Sequence, residues 1–135
     1  ELEPAIDARL IDVVRCGYVE DLAQELSETT ALLVPTPIEL GFRTRIADGF
    51  RPGVTSVAHL ANGVGMPELE ADRNALVADT PRGFADAVLR LARQPALAER
   101  LSAQALADFD SRLSSDVVAP RILEFLMSHR RTATS

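Results

Sequence analysis

Residues 31–58 read A-L-L-V-P-T-P-I-E-L-G-F-R-T-R-I-A-D-G-F-R-P-G-V-T-S-V-A, and this stretch decides the fold class. It opens with a short apolar run that Pro35 closes, which predicts a buried strand, because proline cannot continue a hydrogen-bonded ladder. Gly41 to Phe50 predict a helix, and Pro52-Gly53 end that helix before a second apolar run over Val54 to Ala58. Strand, loop, helix, break and strand together predict one βαβ unit.

The loop of this unit is where we expect any chemistry. In an open α/β sheet, such a loop lies at the carboxyl edge of the strands, where the backbone N–H groups at a helix start attract anions. The polar and small residues between Pro35 and Asp48 fill that loop and the first turns of the helix. The candidate site is therefore expected within this segment.

The remaining pattern predicts further strands and helices in alternation. We expect strands at 10–16, 30–34 and 75–78, and helices at 20–29, 96–109 and 116–127, with another helix that begins at Pro81 behind Thr80 as its N-cap and ends before Pro95. Strands that alternate with helices predict an α/β fold, a Rossmann-like doubly wound parallel sheet. Neither a repeat nor a low-complexity linker is visible, so we expect one domain over 1–135.

Composition and charge narrow the function classes. The 135 residues are 47% hydrophobic, 25% charged and only 4% aromatic, which is typical of a globular domain. A net charge of −6 argues against nucleic acid as a partner. No apolar run is long enough for a transmembrane segment. The single cysteine, Cys16, and two widely spaced histidines predict neither a disulfide nor a metal site. We expect a cytoplasmic protein.

Two blocks of the sequence resemble the C-terminal half of family 4 (group 1) glycosyltransferases, which are two-domain GT-B enzymes. The first is G-F-R-T-R-I-A-D over Gly41 to Asp48, where a glycine-containing loop precedes a basic residue and a carboxylate three residues later. The second runs from Pro67-Glu68-Leu69 to Asn74-Ala75-Leu76-Val77. The order and spacing of both blocks and of the elements around them match over nearly the whole chain.

The resemblance implies a donor-binding domain that transfers a sugar from a nucleotide-sugar to an acceptor hydroxyl, with retention of configuration and with no cofactor or metal. It also implies that the chain lacks the first strand of the GT-B C-terminal half and the N-terminal acceptor-binding domain, so we expect the isolated chain to be inactive. The family's last helix packs on that absent domain, so the helix at 116–130 is expected to expose an apolar stripe, or to bury it in a homodimer.

The resemblance also assigns the site residues. Asp48 would accept hydrogen bonds from ribose hydroxyls, and Arg45 would balance the diphosphate. Glu39 is the catalytic candidate, although Leu40 occupies the position that the family's glutamate takes. The remaining substrate-binding candidates are backbone donors at the expected helix start and residues of the turn beside the nucleotide base, namely Arg43, Gly41, Phe42, Thr44, Gly17 and Val19.

Two other functions stay open at this point. A degenerate, non-catalytic interaction module is compatible with Leu40, with Ala75 in place of a glycine and with the short side chain of Asp48. A sugar-nucleotide epimerase is the other alternative, and it would need further catalytic acids and a histidine, for which His59 is the only candidate. A phosphorylation receiver is disfavoured, because no paired acids follow the first strand.

Overall fold

The computed structural model describes residues 13–130, with the side chain of Arg130 left out. Three parallel strands form one sheet in the order β1 (Leu32–Val34), β2 (Ser56–His59) and β3 (Ala75–Ala78). Leu33 lies opposite Val57 in the β1–β2 pair, and Val57 lies opposite Leu76 in the β2–β3 pair. The helices are α1 (Leu22–Ser27), α2 (Thr44–Phe50), α3 (Pro81–Arg93), α4 (Pro95–Asp108) and α5 (Ser115–Arg130).

Alternate residues of the short strands feed two hydrophobic cores, one on each face of the sheet. On the first face, Val34, Ala58 and Ala75 pack with Ile46 and Phe50 of α2. The second face is packed with the side chains of Val57, Leu76, Leu91 and Leu101, the last two from α3 and α4. Helices therefore cover both faces, as the doubly wound α/β prediction requires. Strands buried on both sides explain the continuous apolar runs of the sequence.

Three helix ends and turns have the local structure that the sequence predicts. The Thr80 hydroxyl accepts a hydrogen bond from the Gly83 amide at 3.1 Å, and Pro81 occupies the first turn of α3. Gly53 has φ +74°, a left-handed conformation that favours glycine, and it ends the break between α2 and β2. Pro95 separates α3 from α4. Each feature depends on residues adjacent in sequence, which is why the pattern locates them.

A charged cluster fastens the connection between β2 and β3 to α4. The Asp108 carboxylate is buried and accepts hydrogen bonds from Arg73 at 2.8 Å, Asn74 at 2.8 Å and Gln104 at 3.1 Å. Asn74 Oδ1 in turn accepts from the amide of Glu70. Because every polar atom of this buried carboxylate finds a donor, the cluster stabilises the crossover rather than forming a reactive group.

Two predictions about elements are wrong. Residues 13–16, the described part of the strand expected at 10–16, are not in a strand, and Val14 is 83% exposed. None of the three strands in the described part of the chain pairs with this segment. Residues 10–12 lie outside the described part of the chain. The second helix begins at Thr44 rather than Gly41, because Arg43 is the N-cap with φ −97° and ψ 82°. Gly41 and Phe42 therefore belong to the preceding loop.

The last helix is exposed over most of its length. Its apolar side chains Ile122, Phe125 and Leu126 are 52%, 60% and 56% exposed. A five-residue π-helical segment, Phe109–Leu113, joins α4 to α5 and packs against the start of α5. Across residues 13–130, we find no helix with the length and apolar character to cross a membrane.

Candidate functional site

Arg45 and Asp48 lie on the outer side of α2. The opposite side of this helix carries the buried residues Ile46, Ala47 and Phe50, which pack on the sheet. Because the buried residues recur on one face of this two-turn helix, Arg45 and Asp48 lie on the face that points away from the sheet. Thr44, one turn ahead of Asp48, falls on the same outer side.

The three outward residues line a cleft of about 330 Å³ between α1 and α2, which we call the α1–α2 cleft. Its apolar wall consists of Leu22 and Leu26 from α1 and Leu32 from β1. The cleft thus combines one wall for an apolar or ring-shaped group with one basic and one acidic side chain. Sequence reasoning named the charged residues but not this wall.

The two charged side chains of the α1–α2 cleft are exposed and unpaired. Neither Arg45 nor Asp48 forms a side-chain hydrogen bond or an ion pair with any residue from 13 to 130. They lie three residues apart on one helix, a spacing at which opposite charges commonly pair. Because they do not neutralise each other, both are available to a ligand.

Arg43 is directed elsewhere. Its Nη2 donates a hydrogen bond to the carbonyl oxygen of Ile38 at 2.5 Å, and its Nε is buried without a partner. The side chain is half-buried and holds together the loop in which it lies. The structure therefore does not bring Arg43 to the α1–α2 cleft with Arg45.

Glu39 lies on a second cleft, which we call the β2-edge cleft because His59 at the carboxyl end of β2 lines it. Its volume is about 680 Å³, and Pro37, Leu60, Ala61, Gly63 and Val64 supply the rest of its lining. Glu39 and Asp48 therefore line different clefts. Gly41 and Phe42 lie between Glu39 and Asp48 in the sequence, and they line neither cleft.

The remaining two candidates lie in the turn before α1. Gly17 has φ +66°, which favours glycine, and nothing lies within 4 Å of the position a Cβ would take. Val19 lines a third cleft of about 320 Å³ with acidic side chains that include Asp21, the N-cap of α1, and Glu25 within α1. This turn leads directly into α1, since the Asp21 carboxylate accepts a hydrogen bond from the amide of Gln24.

Asn62 is a residue whose importance the sequence did not reveal. It is fully buried, and its Nδ2 donates to the carbonyl oxygens of His59 at 2.8 Å, Thr36 at 3.3 Å and Val34 at 3.4 Å. It therefore ties the ends of β1 and β2 together. An asparagine before glycine predicts only a turn, so the pattern gave no sign of this role.

Besides Asn62, Gly65 also holds the loop that carries Glu39 in place. A Cβ added there would lie 2.2 Å from the carbonyl oxygen of Leu40 and 2.5 Å from the carbonyl of Gly41. Only a glycine permits backbone segments to approach this closely. Gly65 thus serves packing in the crossover between β2 and β3, whereas nothing lies within 4 Å of a Cβ added at Gly63.

Among the described residues, no group of three or more His, Cys, Asp and Glu side chains has the geometry to hold a metal ion. Residues 1–94 match the model of the family described as "Glycosyl transferases group 1". The match covers 94 of the 135 residues and includes every candidate site residue. No curated protein matches the chain.

Proposed function

The chain belongs to the group 1 glycosyltransferases, and on that premise we propose that its described domain binds a nucleotide-sugar donor in the α1–α2 cleft. Glycosyl transfer is the general activity of this family, so the chain is a glycosyltransferase domain.

The observation that carries the proposal is the unpaired Arg45 and Asp48 on one face of α2. A carboxylate accepts two hydroxyl donors at once, which suits the vicinal hydroxyls of a ribose. A guanidinium binds phosphate oxygens through charge-assisted hydrogen bonds. Leu22 and Leu26 supply an apolar surface against which the pentose and base can pack. Since α2 has only seven residues, we expect these side chains, more than the backbone amides at the start of the helix, to hold the donor.

In the reaction we propose, the bond between the anomeric carbon of the sugar and the diphosphate oxygen breaks. A new bond forms to the oxygen of an acceptor hydroxyl, and the hydroxyl proton leaves with the nucleoside diphosphate. Retention at the anomeric carbon rests on the family resemblance. Arg45 would stabilise the charge that develops on the leaving diphosphate, and Glu39 would contact the sugar from the β2-edge cleft.

Calorimetric titration of the 135-residue chain with UDP-, GDP- and ADP-glucose tests the donor site. We expect one of them to bind and Asp48→Ala to weaken it about tenfold, the loss of roughly one strong hydrogen-bonding group. Asp86→Ala is the matched control, since Asp86 is an exposed acid on α3 and lines none of the clefts described above. Equal affinities of the two variants would contradict the assignment of Asp48.

A non-catalytic interaction module is the second candidate function. The observation that favours it is the separation of Glu39 from Asp48 into two clefts, with Leu40 at the position where the family has its first carboxylate. Absence of binding for all three nucleotide-sugars at millimolar concentration would support this candidate over the first.

We also propose that the 135-residue chain binds its donor without transferring the sugar. Glu39, Arg45 and Asp48 are all exposed, and glycosyl transfer requires a site from which water is excluded. Sugar transfer to an added acceptor by this chain alone would refute that statement.

A further inference from the structure

His59 has a defined tautomer at the carboxyl end of β2. Its Nδ1 accepts a hydrogen bond from the backbone amide of Ala61 at 3.1 Å. An imidazole nitrogen that accepts carries no proton, so in the neutral ring the proton is on Nε2. The ring therefore presents a fixed N–H donor on the side away from Ala61.

That donor is free and belongs to a cleft. Within residues 13–130, the only side-chain hydrogen bond of His59 is the one at Nδ1, and the residue is half-buried. The ring lines the β2-edge cleft together with the Glu39 carboxylate, an acceptor, and with the apolar side chains of Leu60 and Val64. One donor, one acceptor and an apolar wall are the features that recognise a hydroxylated ring.

The surroundings hold this donor and this acceptor in place. Asn62 Nδ2 donates to the carbonyl oxygen of His59 and also to that of Thr36, at the start of the loop that carries Glu39. Gly65 packs against the backbone of Leu40, the residue after Glu39. The relative position of the two segments is therefore fixed before any ligand binds, which lowers the entropic cost of binding.

We infer that His59 is a specificity-determining residue that donates from Nε2 to a hydroxyl of the sugar ring in the β2-edge cleft, while Glu39 accepts from another hydroxyl. This inference rests on the proposed function and deepens it. The nucleotide part of the donor belongs to the α1–α2 cleft, so His59 affects only the contribution that the sugar makes to affinity.

The test compares the affinity of the chain for a nucleotide-sugar with its affinity for the corresponding nucleoside diphosphate (UDP, GDP or ADP), which lacks the sugar. For whichever of UDP-, GDP- and ADP-glucose binds, calorimetry gives both dissociation constants in His59→Leu, His59→Gln and the control His129→Leu. We expect His59→Leu to lower the affinity for the nucleotide-sugar about fivefold and to leave the affinity for the nucleoside diphosphate unchanged. His59→Gln keeps an N–H donor near the position of Nε2 and should restore most of the affinity, although it too lacks the ring that caps Ala61.

A purely structural role for His59 would give a different result. If only the contact with Ala61 mattered, His59→Leu and His59→Gln would weaken binding equally, and each would weaken the nucleotide-sugar and the nucleoside diphosphate to the same extent. That result would overturn the inference while the proposed function stands. Failure of the unmodified chain to bind any of the six compounds would overturn both together. Thermal unfolding of each variant shows that it is folded.

A second readout is the ¹⁵N spectrum of the His59 imidazole. We expect the Nε2–H tautomer in the free protein, and a shift of the Nε2 resonance on addition of the nucleotide-sugar but not of the free diphosphate. An Nδ1–H tautomer, or equal shifts with both ligands, would overturn the inference.

Discussion

Asn62 shows, at the scale of single residues, how one buried amide fixes the carboxyl edge of the sheet. Its Nδ2 donates to carbonyl oxygens from two strand ends and the following loop, whereas its Oδ1 is buried without a partner. Since the carbonyls are buried or partly buried, they have no ready replacement for this donor. Both the Glu39 loop and His59 depend on it.

Replacement of Asn62 by alanine is expected to lower the free energy of unfolding by about 2 kcal/mol, because buried carbonyls lose their donor. Urea denaturation measures this loss. The control is Gln24→Ala on the exposed side of α1, which should stay within about 0.5 kcal/mol of the unmodified chain. Equal effects of both substitutions would show that the Asn62 bonds do not hold the strand ends together.

At the scale of elements, the approach of the β2–β3 crossover to the Glu39 loop is the contact that shapes the site. Gly65 lies against the backbone of Leu40 and Gly41, and Arg43 closes the same loop onto Ile38. These contacts keep residues 41–43 out of the helix, so α2 begins at Thr44. The spacing of Glu39 from Arg45 and Asp48 follows from this late start.

Gly65→Ala and Gly63→Ala form a matched pair that tests this contact. At Gly65 a Cβ would overlap the carbonyl of Leu40, so we expect a loss of about 1–3 kcal/mol in unfolding free energy. At Gly63 nothing lies within 4 Å of an added Cβ, and we expect little change. Denaturant titration compares the two, and a tolerant Gly65→Ala would contradict the close packing.

The sequence predicted those elements whose ends are determined locally. The strand Ala75–Ala78 and the start of α3 at Thr80-Pro81 match the prediction, because turn and capping residues adjacent in the chain define them. The start of α2 was missed because it depends on Gly65, more than 20 residues away. In α4, Ala105 is buried and Leu106 is 40% exposed, which a pattern based on large apolar residues cannot distinguish.

For the candidate site too, the sequence identified residues within one element but not those that distant segments bring together. Arg45 and Asp48 were assigned by the family resemblance, from a motif that lies within one helix, and the structure brings them to one cleft. The place of Glu39 beside His59 was not predicted, since it depends on how the ends of β1 and β2 are joined by Asn62. Charge and helix periodicity are visible in a sequence, but the joining of separate loops through a buried amide is not.

At the scale of the whole molecule, α5 contributes little to the packing of the domain. All side chains from Arg121 to His129 are exposed, including several large apolar ones. The family resemblance predicts that another domain covers this helix, and that remains a prediction. Within the described residues, the cores on both faces of the sheet are complete without residues 121–129.

Phe125→Ser is expected to change the unfolding free energy by less than about 0.5 kcal/mol, because the ring is mostly exposed. Phe50→Ala, at a fully buried position in α2, should cost about 3–5 kcal/mol. Urea denaturation at two protein concentrations measures both. A large loss for Phe125→Ser that is independent of concentration would show that α5 packs on its own domain.

The central claim is that a nucleotide-sugar lies along α2 and against α1. Its most direct test is amide chemical-shift mapping of the ¹⁵N-labelled chain with UDP-, GDP- and ADP-glucose. We predict that one compound shifts the resonances of Thr44 to Asp48 and Leu22 to Leu26 together, and that Asp48→Ala abolishes most of the change. Shifts confined to α5, or no shift with any of the three at millimolar concentration, would contradict the account.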